Sequence, residues 1–211
     1  LETSARRVTQ YVYNGDYGSN KVKFGAYYGG SSKRNIKNVD LKNNRKNTWG
    51  TGLIFNHEID SIQNVTVAAG FTRQISENAN KTAYYSNAYA LGLAYNFVHT
   101  TYGLDFAHKD TKNKDGAGNK VKNNEVTAVI RQGLNEDWNV YAMYAYKTDK
   151  QFGDTDRTRQ FMVGTEYYVY NQGSLKVKPF LEWQATRTKY ENSTVDRSRD
   201  FKTVIGLRAY W

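Results

Sequence analysis

The chain has no cysteine and a single proline among 211 residues. The first absence removes disulfides and thiolate metal sites. The second is unusual for a soluble all-β domain, whose turns ordinarily carry several prolines. Long hydrophobic runs are also missing. No apolar stretch approaches the roughly 18 residues of a membrane-crossing helix, and the mean hydropathy is -0.79. The opening LETSARRVTQ lacks the apolar segment of a cleavable leader, so the expectation is a chain that is either cytosolic or already processed. Glycines lie inside extended segments rather than between a strand and a helix, so there is no phosphate loop. No His/Cys/Asp/Glu spacing suits a metal, and no cofactor is expected.

What is present is positive charge and tyrosine. The formal net charge is +10, aromatics make up 15% of the chain, and eighteen of them are Tyr. Basic, tyrosine-rich chains include nucleic-acid binders. No recognisable nucleic-acid module occurs here, however, and the basic residues gather between extended segments, so no nucleic-acid partner is expected.

Period two dominates, which is the periodicity of strands with two different faces. Residues 84–97 set Tyr85, Tyr89, Leu91, Leu93, Tyr95 and Phe97 against Ser86, Ala88, Ala90, Gly92 and Ala94. The same alternation runs through 21–28, 46–57, 64–73, 101–109, 125–132, 138–147, 160–170, 175–187 and 201–211. Residues 6–13, RRVTQYVY, suit a strand or a short helical turn. The connections alternate. Short ones are HEIDSIQ, VHTT, GLNED and NQGS; long polar ones are 29–46, 74–83, 110–124, 148–159 and 188–200. Aromatics gather at strand ends, at Trp49, Tyr84, Tyr85, Tyr95, Phe97, Tyr102, Trp138, Tyr146 and Trp183.

Strands of about ten residues, large apolar residues on one parity, aromatic ends and alternating turn lengths are the pattern of a transmembrane β-barrel. A soluble sandwich or ligand barrel is also antiparallel and alternating, but strict short–long alternation and girdle tyrosines are less expected of it. The last eleven residues, FKTVIGLRAYW, alternate without a slip and end on an aromatic. They resemble the C-terminal strand of bacterial outer-membrane proteins, in which Phe is the usual last residue. That resemblance implies an assembly signal carried by Phe201, Leu207 and Trp211 and read by the outer-membrane assembly machinery. At the level of class, the chain resembles small monomeric porins such as the acidic-oligosaccharide porins.

The expected fold is all-β: a closed antiparallel transmembrane barrel of 10 to 12 strands, with long outer loops and short periplasmic turns. Residues 20–211 form the barrel, and residues 1–19 are an N-terminal extension or a first strand. The expected place is the bacterial outer membrane, among its lipid and lipopolysaccharide. The small parity would line the lumen. Its charged members are Lys21, Lys23, Arg131, Lys147, Lys176, Lys178, Lys202 and Arg208, against Asp105, Glu125, Glu166 and Glu182. That balance points to passive diffusion of small solutes, with anions preferred. The alternatives are a membrane anchor or autotransporter-like secretion barrel with a segment in its lumen, and a surface adhesin. Basic loop residues, including Lys33, Arg34, Lys37, Lys42, Lys112 and Lys114, could also engage lipopolysaccharide phosphates. Of the three His, His57 and His99 fall at short turns. His108 shares the parity of Phe106, opposite to Asp105, and no nucleophile is matched to it. The expectation is therefore that the protein is not an enzyme.

Overall fold

A computed structural model describes residues 8–30, 44–77, 83–113, 120–151, 153–172, 175–192 and 196–210. They form one antiparallel sheet. Its strands are β1 (Val8–Tyr17), β2 (Asn20–Gly29), β3 (Asn44–Asp60), β4 (Gln63–Glu77), β5 (Ala83–Phe97), β6 (Thr100–Asn113), β7 (Val121–Gly133), β8 (Trp138–Gln151), β9 (Asp154–Tyr167), β10 (Tyr170–Gln172), β11 (Leu175–Lys189) and β12 (Arg197–Tyr210). Each strand pairs with its sequence neighbour, except that β9 and β10 both lie along β11. Residues of the ambiguous 6–13 stretch fall in β1, which pairs with β2 from Val8↔Gly29 to Tyr17↔Asn20.

Closure of the barrel is not made within this sheet. Among the described residues β1 and β12 each pair on one side only. Both run toward the short-turn end, so a direct seam between them would be parallel, whereas every other pair is antiparallel.

The strands are longer than the sequence pattern suggests. β4 reaches Glu77, β6 reaches Asn113, and β8 and β9 extend to Gln151 and from Asp154. Much of the polar sequence read as long loops is therefore strand. Several of those polar segments alternate as well, but with polar residues on both parities, so hydrophobic periodicity does not register them.

The single proline explains the break between β9 and β10. Phe180 pairs with Glu166, but Val177 pairs with Tyr170, so one extra residue sits on the β9–β10 side. Pro179, which has no N–H to give to the ladder, lies opposite that bulge. Proline inside a sheet is tolerated at such irregularities, and a bulge re-aims the side chains beside it.

Among the described residues there is no packed apolar core. Ala145 is the one buried hydrophobic residue among those described, while Leu53, Leu91, Leu104, Phe106, Leu181 and Ile205 are all exposed. The accessible surface is 14599 Å², against about 10,000 Å² for a globular protein of this mass. Both faces of the sheet are open. A soluble sandwich would have buried one of them, so the large apolar parity has lipid as its solvent. Register confirms that it is continuous: Leu93 lies beside Leu104, then Ala128, Tyr144, Phe161, Ala185 and Phe201. Aromatic residues flank this band. Tyr95 stacks on Tyr102 at 6.3 Å near the short turns, and Trp49, Phe71 and Tyr89 make successive 5.0 Å contacts toward the other end.

This face assignment yields a test. Leu91→Arg places a cation among lipid chains and is expected to cost about 2–4 kcal/mol if the position is near the bilayer midplane. Ala90→Arg points to the opposite face and should cost far less. Urea unfolding of the two variants from lipid vesicles measures both; equal costs would contradict the assignment.

Candidate functional site: an ion cluster on the inner wall

The inner parity is mostly small. Gly25, Gly52, Gly70 and Ala90 form one row across β2–β5. A cavity of about 710 Å³ runs along this wall, with Lys23 and Asp105 among its lining. On β7–β12 the same parity instead carries a compact cluster of charges and rings.

Glu166 is its centre, only 4% exposed. Arg131 Nη2 donates to Glu166 Oε1 at 2.8 Å, and Arg208 Nη1 donates to Oε2 at 3.0 Å. Lys178 Nζ lies 2.8 Å from Oε2 and is itself buried. Arg208 Nη2 reaches Glu182 Oε1 at 2.9 Å, and Tyr141 donates its hydroxyl proton to the same oxygen at 2.6 Å. Three cations thus face two carboxylates, leaving one positive charge in excess. Aromatic faces complete the cluster. The Lys178 ammonium sits over Tyr168 at 5.0 Å and Tyr210 at 5.5 Å, and the Arg208 guanidinium lies over Phe180 at 4.1 Å. Such cation–π contacts strengthen as water is excluded.

Local backbone makes this possible. The bulge opposite Pro179 lies beside Tyr168, which stands under Lys178. Gly164 and Gly206 leave the inner wall bare where the rings of Tyr141 and Phe180 lie flat: a Cβ on either glycine would overlap the ring. Without Gly164 Tyr141 could not reach across to Glu182.

Of the residues singled out from sequence, Arg131, Glu166, Lys178, Glu182 and Arg208 come together. The others are dispersed along the inner face. Lys21 pairs with Glu58 at 2.8 Å, Lys147 with Asp149 at 3.0 Å, and Lys202 with Asp200 at 3.1 Å. Glu125 accepts a 3.4 Å hydrogen bond from Thr127. Lys23 and Lys176 have no ion-pair partner among the described residues. Phe201 and Leu207 lie on the lipid face, both well exposed; Trp211 falls outside the described residues, as do Lys33, Arg34, Lys37, Lys42 and Lys114. Sequence reasoning missed Tyr141, Phe180, Tyr168 and the two glycines. The available signal was glycine on the inner parity of neighbouring strands.

It also missed acids. Register places Asp16, Glu58, Asp149, Asp156 and Asp200 on the inner parity. Arg45 and Lys109 join the cations there. The inner face as a whole is thus close to charge balance, and the positive excess is local to the cluster.

His108 stands on the lipid face, its ring 6.0 Å from Tyr89 and its Nδ1 2.6 Å from Asn124 Oδ1. Asp105 is on the opposite face. Asp110, above the aromatic band, is held below the ordinary carboxylate range: burial pushes it up, but hydrogen bonds from Lys120 and Asn87 outweigh that push. No group of three His, Cys, Asp or Glu suited to a metal occurs among the described residues.

No family model and no curated protein matches the sequence. Solved structures do match. An anion-selective porin from Comamonas acidovorans superposes with a TM-score of 0.69 at 15% identity, over 98% of this chain and 60% of that one. OmpT, an outer membrane protein of Vibrio cholerae, gives 0.63 at 14% identity, over 97% and 64%. The hemophore receptor HasR of Serratia marcescens gives 0.51 at 9% identity, over 96% and 38%. The chain thus spans less than two thirds of the length of these neighbours. At such identities the likeness is one of fold, and the fold is that of the β-barrels of the bacterial outer membrane, with a class-level resemblance to porins. Together with the exposed apolar face, it places the chain in that membrane.

The same comparisons correct one expectation. Exclusion of enzymatic activity does not stand. The matched barrels are of more than one kind, with OmpT and a hemophore receptor beside a porin. A shared wall hosts different functions, and the lack of a recognised motif does not exclude catalysis.

The cluster yields its own test. Glu166→Gln leaves three cations facing one carboxylate, and breaking a buried ionic centre in this way is expected to cost about 3–5 kcal/mol. Glu125→Gln, which loses one long hydrogen bond at an exposed position, should stay within about 0.5 kcal/mol. Urea midpoints in vesicles compare them; equal effects would show that Glu166 is not the centre of the cluster.

Proposed function

We propose that the chain forms the wall of a diffusion path for small polar solutes across the outer membrane, with a modest preference for anions. The observation that carries this reading is the inner-wall cluster of Arg131, Lys178 and Arg208 around Glu166 and Glu182, with one uncompensated positive charge. Unpaired Lys23 and Lys176 lie on the same face. The likeness to an anion-selective porin supports the reading at the level of fold.

The preference is modest because the rest of the inner face is nearly balanced. It also fades with salt. Each exposed charge acts within about 10 Å at 0.1 M ionic strength, so selectivity should fall as salt rises. The ion cluster narrows the path at its short-turn end, and the glycine-rich wall of β2–β5 leaves it open.

The test is planar-bilayer recording of the whole protein under a KCl gradient. Lys23→Glu combined with Lys176→Glu removes the two unpaired inner cations and leaves the cluster intact. The reversal potential should move toward cation preference, with little change in conductance. A native reversal potential without anion preference would remove the selectivity claim, an unchanged one in the variant would remove the part given to Lys23 and Lys176, and absence of any current from the native protein would remove the channel itself.

A further inference from the structure

Besides the single excess charge of the inner cluster, a larger group of like charges among the described residues gathers on the lipid side of β9, β11 and β12. Register aligns Arg159 with Arg187 and Arg187 with Arg199. Two residues farther along each strand, Arg157 aligns with Lys189 and Lys189 with Arg197. All six side chains are exposed. Arg197 is 3.8 Å from the highly exposed Asp196; the other five have no ion-pair partner among the described residues. Glu191 is the nearby acid, and its carboxylate accepts the Thr155 amide hydrogen.

Like charges directly opposite each other on paired strands destabilise a sheet. Neighbouring strands lie about 4.8 Å apart and alternate residues about 6.7 Å along a strand. Six cations therefore crowd into a patch roughly 10 Å by 7 Å, which calls for a counter-anion. The height of the patch identifies which one. Arg199 is eleven residues up β12 from Tyr210; at about 3.3 Å per residue and a 45° tilt, that is about 26 Å above the periplasmic end, the thickness of the apolar band. Immediately below the arginines the same face becomes apolar and aromatic, with Phe161, Ala185 and Phe201 in one row and Trp183 stacked 6.2 Å from Phe201. The patch thus sits at the outer water–lipid boundary and faces the lipid.

We propose that this face binds the phosphorylated headgroup of an outer-leaflet glycolipid of the lipopolysaccharide type. Guanidinium forks hold phosphate oxygens in pairs, and the acyl chains run down over Phe161, Phe201 and Trp183. The proposal does not rest on the diffusion reading, since the two faces are separate.

The experiment titrates the whole protein, refolded in neutral detergent, with bisphosphorylated lipid A and with the same lipid stripped of its phosphates. Native mass spectrometry reads the bound fraction. The intact lipid should bind at least about tenfold more tightly than the stripped one. The R159Q/R187Q/R199Q variant should lose about tenfold or more in affinity, as expected for three weak ion pairs acting together. A K23Q variant on the inner face should bind as the native protein does. Millimolar inorganic phosphate should fail to displace the lipid. Equal binding of the two lipids overturns the proposal, as does unchanged affinity in the folded triple variant. Displacement by inorganic phosphate would mean a site for free anions and would equally overturn it. If the triple variant does not fold, the comparison of the two lipids on the native protein decides alone.

Discussion

Lipid cannot hydrogen-bond a backbone, so every N–H and C=O at membrane depth must find its partner in a neighbouring strand. From this constraint follows a wall one residue thick, with a different solvent on each side. The alternation of the sequence is its direct imprint. Leu91, Leu93 and Tyr95 meet lipid, while Ala90, Gly92 and Ala94 meet water. The absence of a packed core, which would be fatal to a soluble domain, is the ordinary consequence. The same constraint bears on the sheet edges: β1 and β12 run in the same direction and, among the described residues, are not paired with each other.

Within that wall, one irregularity organises the inner surface. Pro179 cannot donate to the ladder, and the strand beside it bulges there. Tyr168 stands beside the bulge, under Lys178, where Glu166 also collects Arg131 and Arg208. Gly164 and Gly206 make room for the rings that hold the cluster in place. Charges buried in this way are stable only as a set, since each cation relies on a carboxylate that it shares. The local excess of one positive charge is what links this geometry to the proposed preference for anions.

Fold class and faces were legible in the sequence because period two needs no tertiary information. The shared face of the clustered charges was legible for the same reason: Arg131, Glu166, Lys178, Glu182 and Arg208 all follow from parity. Other features were hidden for physical reasons. Long polar segments such as 148–159 and 188–200 read as loops because neither parity is apolar, yet 148–151, 154–159, 188–189 and 197–200 belong to strands. Arg157, Arg159, Lys189, Arg197 and Arg199 therefore fell in segments read as loops, Arg187 at the end of a strand, and only register shows that the six form two rows. Asp149 and Asp200 were overlooked for the same reason, which made the lumen look more positive than it is. The bulge had one sequence cue, the lone proline, but its register shift depends on strand pairing that no single segment reveals.

The central claim is that the two parities of each strand face two different solvents. Spin-label accessibility along β5, from Tyr89 to Phe97, in reconstituted vesicles tests it most directly. Labels at 89, 91, 93, 95 and 97 should collide with dissolved oxygen, which concentrates in lipid. Labels at 90, 92, 94 and 96 should collide instead with a water-soluble nickel complex, giving a strict alternation with period two. Uniform protection from both reagents on either parity would indicate a packed protein core and contradict the membrane wall.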